Sequence, residues 1–158
     1  MYMESILQYG SKYHVEVKAQ VAGAVIFNDN KQVLLVQELE GSKKGLWHIP
    51  SGRIEENEFP QEAATREIQE ETGLKLLLHH YLNTYVGCFD DGELVLRHVW
   101  IAKYLNDQRI SPEFTKEIGK AKFFNEFEVQ ALYDNNKLRM HQTMLMIKDA
   151  FIVIAREA

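Results

Sequence analysis

Glu58, Glu67, Glu70 and Glu71, with Arg66 beside Glu67, are the residues of this sequence best suited to chemistry. They lie in Ser51-Gly52-Arg53-Ile54-Glu55-Glu56-Asn57-Glu58, then residues 59–65, then Arg66-Glu67-Ile68-Gln69-Glu70-Glu71-Thr72-Gly73-Leu74. On a helix advancing about 100° per residue, with Glu67 at zero, Glu71 falls near roughly 40° and Glu70 near roughly −60°. Ala63, Ala64 and Ile68 share that side, whereas Glu62, Thr65, Gln69 and Thr72 lie opposite and are expected to face water. The carboxylates thus occupy the small, apolar side of their helix, the side that packs.

An acidic helix face is ordinarily solvated; the placement argues otherwise here. Like charges one turn apart repel by about 0.2–0.5 kcal/mol when exposed, and partial burial makes each ionised carboxylate more costly still. A bound cation resolves the conflict. An oxygen-only donor set suits a hard ion, Mg²⁺ or Mn²⁺ before Zn²⁺, and a site so loaded accepts phosphate oxygens. Gly52, where Pro50 ends a strand and the chain swings back toward the helix, tolerates positive φ and lets a backbone carbonyl approach the ion. The planar fork of Arg66 suits it to fix the orientation of Glu58 or Glu67.

The stretch resembles the Nudix box, Gly-x5-Glu-x7-Arg-Glu-U-x-Glu-Glu-x-Gly-U with U aliphatic. Gly52, Glu58, Arg66, Glu67, Ile68, Glu70, Glu71, Gly73 and Leu74 fill every specified position. At about 7% usage for each fixed identity, a chance match in a chain of this length has odds near roughly 10⁻⁶. Residues 47–50 ahead of the box, and Glu117-Ile118 followed by Phe123-Phe124 after it, extend the likeness over most of the chain.

The resemblance implies an α/β fold, the Nudix-type α/β/α sandwich with a mixed β-sheet. It also implies divalent-cation-dependent hydrolysis of a nucleoside diphosphate linked to another group. It assigns metal binding to Glu67, Glu70 and Glu71 with the Gly52 carbonyl, and support to Glu58 and Arg66. Two positions compete to take a proton from water, Glu67 and, preferred, Glu117, with Glu113 a substitute on the same loop. Such a base is worth about 10²–10⁴ in rate. Ser51 and Asn57 replace glycines common beside the box, and Phe59 stands where a capping Ser or Thr is frequent, so the turn and helix start are expected to differ in detail.

Substrate contacts are less legible. Lys43 and Lys44, Trp47, Arg53 and Arg97 are candidates, although a Lys-Lys pair is ordinarily solvated and a strand arginine as readily makes a cross-strand ion pair. Tyr85 and Phe89 could stack a base or fill the core. His79 and His80, adjacent in an unbroken strand, would point to opposite sheet faces, which argues against joint metal ligation. The chain lacks the extra motifs of the NADH and coenzyme A subgroups, the proline that follows the box in ADP-ribose hydrolases, and a tyrosine near residues 90–92. MutT-like conversion of a nucleoside triphosphate to monophosphate and pyrophosphate is therefore the favoured expectation. ADP-ribose, a nucleotide sugar or an RNA 5′ end is the alternative substrate, and a nucleotide-sensing module without turnover is the alternative outside catalysis.

The elements that must position these groups can be read from pattern. Residues 20–27 and 32–37 are β-branched runs flanking Asn28-Asp29-Asn30-Lys31, a hairpin signal. A short strand over 46–49 stops at Pro50. Pro60 opens a helix that runs to about Thr72, where Gly73 ends it. Residues 74–86 and 94–104 look extended around Asp90-Asp91-Gly92, and 121–124 adds a short strand. A helix over 126–133 precedes another in which Met140, Met144, Ile147, Phe151 and Ile154 form a core stripe. Without βαβ alternation, this order predicts a mixed sheet with helices on both faces.

At 158 residues with 46% apolar and 26% charged side chains, the composition is that of one ordinary globular domain, residues 1–158. The single cysteine, Cys88, excludes an internal disulfide and a cysteine-rich zinc site. A net charge of −5 argues against an extended nucleic-acid or membrane surface as partner and leaves a small nucleotide. The apolar tract 144–155 carries Lys148 and Asp149 and is too short to span a bilayer, and residues 1–17 lack the apolar run of a signal peptide. The expected compartment is the cytoplasm, and a homodimer is compatible with this reading.

Overall fold

The computed structural model describes residues 2–6, 12–112 and 118–157. The strands are β1 (Tyr2–Ile6), β2 (Lys12–Phe27), β3 (Val33–Glu38), β4 (Trp47–His48), β5 (Ser51–Arg53), β6 (Leu78–Cys88), β7 (Leu94–Lys103) and β8 (Ile118–Phe124), with the expected β-branched runs in β2 and β3. The helices are α1 (Pro60–Thr72), α2 (Glu126–Asp134) and α3 (His141–Arg156). The sheet runs β4-β3-β2-β7-β6, with β1 and β5 also paired to β2 and β8 to β3. β2 and β7 are parallel, with Val21 opposite Arg97, and β6 returns antiparallel to β7. The mixed sheet and α/β class expected from the sequence are what the chain adopts.

Alternation along β2 and β7 sorts the core onto two faces. Val25, Val99 and Ile101 pack with Met144, Met146, Ile147 and Ala150 of α3, so the expected stripe is core from Met144 onward, whereas Met140 caps the helix outside that cluster and lines a surface cavity. On the other face Ala22 meets Ala63 and Ala64, and Ala24 joins Ile68 and Leu74. Alanines on both sides let α1 lie close to the sheet, and burying Ile68 completely contributes about 2 kcal/mol. Among the described residues no helix is long and apolar enough to cross a membrane.

Several expectations are corrected. β5, read from sequence as a turn, pairs with β2 from Val21 to Gly23. Residues 74–77 are not strand; β6 begins at Leu78, and β8 begins at Ile118, upstream of the expected start. Thr72, expected to face water, is fully buried: its hydroxyl donates to the Ile68 carbonyl, and its own carbonyl accepts from the Ser111 N–H, which covers this end of α1. His79 and His80 do not point apart. The register of β6 against β7 slips between Leu78 and His80, leaving His79 as an extra residue, and the two rings lie with centroids 4.2 Å apart.

Candidate active site

Helix α1 carries the acidic cluster, and its ends are defined by the sequence. Pro60 occupies the first turn, where its missing N–H costs nothing. Phe59 offers no capping oxygen; its N–H instead donates to Glu62, one turn on. At the other end Gly73 adopts φ 78°, a left-handed conformation that favours glycine, and donates to the Gln69 carbonyl at 2.8 Å. Glu67, Glu70 and Glu71 project from the last two turns of this clamped helix toward β5.

Arg66 organises the cluster. Its Nε and Nη2 donate to the two oxygens of Glu58 at 2.8 and 3.0 Å, its Nη1 donates to Glu67 at 2.8 Å and Glu70 at 3.1 Å, and Nη2 also reaches the Arg53 carbonyl. One planar fork thus holds carboxylates from the loop and the helix and ties both to β5. Hydrogen bonding to Arg66 lowers the proton affinity of Glu58 and raises that of Arg66, so this pair stays ionised.

Glu71 behaves differently. It is 9% exposed, and it accepts from the Ser51 N–H at 3.2 Å. Burial pushes its carboxyl well above the usual carboxylate range, and the Glu67 and Glu38 charges push the same way. Burial also raises Glu67, against the pull of Arg66, and Glu70 adds to the rise. Arg66 alone does not compensate this many acids, so full ionisation of the cluster is unfavourable without a further positive charge.

Gly52 sits in β5 directly under Glu67. The sequence suggested a need for positive φ, but Gly52 is not among the left-handed residues; what it supplies is room, because a Cβ there would collide with the Glu67 carboxylate. In Gly52→Ala the flexible Glu67 side chain gives way and the fold survives. The expected result is a Tm within a few degrees of wild type with Mn²⁺ affinity lower by about 10–100-fold, measured by calorimetry.

The other candidate residues divide. Lys43 and Arg97 line a cavity of about 380 Å³ together with Phe89, Arg139 and His141. Arg53 is exposed, with its guanidinium 5.9 Å from the Phe89 ring centre. Lys44 is an exposed loop residue outside that lining. Trp47 is core: it packs edge-on against Phe124, centroids 4.9 Å apart, and does not face the cluster. Tyr85 is also core, its hydroxyl donating to Asp149 of α3. Glu113 and Glu117 lie outside the described residues.

Three residues near the cluster carried no signal in the sequence. Arg139, just before α3, donates to Glu38 at 3.1 Å, and the Glu38 charge in turn reaches Glu71. His48, 1% exposed, shares a 2.7 Å hydrogen bond with Thr143, and burial beside Arg139 and Arg97 holds its imidazole neutral. Arg97 and Arg139 each keep a buried Nε without a hydrogen-bond acceptor among the described residues. Nothing but folding could bring positions 38, 48, 97 and 139 to one place.

A family model for the NUDIX domain matches residues 17–144. The 8-oxo-dGTP diphosphatase of Proteus vulgaris is 31% identical over 91 residues, which cover 57% of this chain and 81% of that protein. The 8-oxo-dGDP phosphatase NUDT18 of Danio rerio is 48% identical over 54 residues, 34% of this chain but only 17% of that longer protein. In three dimensions, a NUDIX hydrolase from Nitrosomonas europaea aligns with a TM-score of 0.71 at 25% identity, covering 85% of this chain and 88% of its own. With the box intact on α1, the mixed sheet between helices and a family match over most of its length, this chain belongs to the Nudix family.

Proposed function

We propose that the chain is a Mg²⁺-dependent pyrophosphohydrolase, with Mn²⁺ as substitute, that converts a nucleoside triphosphate to monophosphate and pyrophosphate. The observation that carries this reading is the set of crowded carboxylates on α1: Glu67 and Glu70 share the Arg66 guanidinium, and buried Glu71 lies beside Glu67. That arrangement fits a hard divalent cation: the donors are all oxygen, they share one helix side, and Gly52 leaves them room. Glu67, Glu70 and Glu71 would hold the metal, the Gly52 carbonyl would add a ligand, and Glu58 acts through Arg66. Nudix hydrolases generally use a divalent metal.

When bound, the metal neutralises phosphate oxygens and acidifies a water. The chain's own residues do the rest. Arg66 fixes the angles of the carboxylates, so little reorganisation accompanies the reaction. We assign proton removal from the water to Glu117. The assignment rests on the family resemblance, in which a glutamate on the loop after the box serves as base. The nucleoside side of the substrate enters the cavity lined by Lys43, Phe89, Arg97 and Arg139. Arg97 and His48 both line a smaller space with Ser51, whose N–H contacts Glu71, so cavity and cluster adjoin. The 31% identity to a diphosphatase of 8-oxo-dGTP supports the triphosphate class.

The test is a substrate panel with Mg²⁺ and Mn²⁺: nucleoside triphosphates, ADP-ribose, a nucleotide sugar, a dinucleoside polyphosphate and 5′-triphosphate RNA. Monophosphate and pyrophosphate from a triphosphate are expected, with Glu117→Gln slower by about 10²–10⁴. No hydrolysis of any substrate would overturn the reading. Near-normal turnover in Glu117→Gln with none in Glu67→Gln would move the base to Glu67.

A further inference from the structure

We propose that His79, His80 and Glu157 form a second metal site, for a borderline divalent cation of the Zn²⁺, Ni²⁺ and Co²⁺ class, at the junction of β6 and the end of α3. One ring nitrogen of each histidine and a Glu157 oxygen all lie within 4.8 Å of one another. The Nε2 of His79 is 3.8 Å from one Glu157 oxygen, and that of His80 contacts the other.

The backbone builds this convergence. In a regular strand the two rings would fall on opposite faces; the irregularity at His79 brings both to the α3 side, since Leu78 opposite Ala102 packs toward α1 while His80 sits opposite Ile101. Such a bulge forfeits ladder hydrogen bonds, and re-aiming a side chain is a recurrent reason for one. Glu157 is the C-terminal cap residue of α3, where the helix dipole and free carbonyls already present negative charge. An anionic side chain there is unfavourable unless a cation sits beside it.

The donor chemistry distinguishes this site from the acidic cluster. Two neutral imidazoles and a carboxylate select borderline ions, while an all-oxygen cluster selects Mg²⁺ or Mn²⁺. Zinc–nitrogen bonds are about 2.0–2.1 Å, so the donors must close in by rotation of their side chains, which their exposure permits. Three protein ligands would leave a fourth position for water or another donor, and a cavity of about 280 Å³ lined by His79, Glu157, Asp29 and Lys103 adjoins the three. Lys103 lies 3.8 Å from Asp29 there, so its charge is partly offset.

The experiment is calorimetric titration of the tag-free protein with Zn²⁺ in excess Mg²⁺, which occupies hard sites and leaves the histidines free. One equivalent of Zn²⁺ is expected to bind and raise Tm. His79→Ala and His80→Ala should each weaken binding by about tenfold or more and remove the Tm rise. Cys88→Ser and His141→Ala should leave both unchanged. Circular dichroism and zinc-free Tm of each variant show that the fold is intact. Absence of zinc uptake by the wild type, or uptake unchanged in both histidine variants, overturns the proposal. Neither outcome depends on hydrolysis at the acidic cluster.

Discussion

Glutamine in place of Glu71 is expected to raise the melting temperature of the metal-free protein while removing its response to Mg²⁺ and most of its turnover. The reason is the direction in which the fold shifts this carboxyl. Burial first, then the Glu67 and Glu38 charges, hold its proton affinity above the ordinary value. A group raised in the folded state contributes stability that is complete below its unfolded pKa of about 4.3 and is lost as pH climbs through the folded value. Glu67 shifts the same way, so in chelator the protein should be most stable at mildly acid pH and weaken toward alkaline pH. Mg²⁺ should reverse that loss, with an effect that grows with pH. Glu71→Gln removes one buried charge while keeping the Ser51 acceptor, a gain of about 1–3 kcal/mol, or roughly 2–10 °C for a chain of this size. Turnover should fall by about 10²–10³. Thermal melts between pH 5 and 9, with EDTA and with Mg²⁺, decide the matter; a lower Tm of the variant in EDTA, or a retained Mg²⁺ shift, would refute it.

Arg66→Lys should keep the fold and lose most of the activity. Lysine retains the charge but replaces a rigid fork with one mobile ammonium, which cannot serve Glu58, Glu67, Glu70 and the Arg53 carbonyl at once. The carboxylates would then take several orientations, and the expected loss is about 10–100-fold in Mn²⁺ affinity and kcat. Arg66→Ala is harsher. It leaves the largely buried Glu58 and Glu67 without their cation, and urea unfolding should show a loss of about 3 kcal/mol. Wild-type turnover in Arg66→Lys would mean that charge alone, and not geometry, is what the cluster requires.

The sequence disclosed these residues because they are local. Gly52 to Leu74 is one strand, one loop and one helix, so spacing and helical periodicity suffice to place Arg66 among the acids. The apolar runs of β2, β3 and β7 and most of the stripe on α3 were legible for the same reason. What escaped is tertiary. Glu38, His48 and Arg139 come from β3, β4 and the approach to α3, and no spacing rule links them to one another or to Arg97, which the sequence did single out. Thr72 was misjudged because its exposure is decided by Ser111, far along the chain. Trp47 resembled a ligand contact by position, yet Phe124 claims its ring. The slip at His79 reversed a strand-parity argument that assumed uninterrupted pairing.

The parallel pairing of β2 with β7 has a kinetic consequence. Val21 meets Arg97 across nearly half of the chain, with the entire acidic helix lying in the intervening loop. Closing so long a loop must precede the reward of pairing, which makes such contacts slow to form. The carboxylates can cluster early, within their own segment, whereas the basic cavity across the sheet exists only once that closure is complete. A molecule that bridges the two therefore recognises the finished fold and will lengthen its lifetime without hastening its formation.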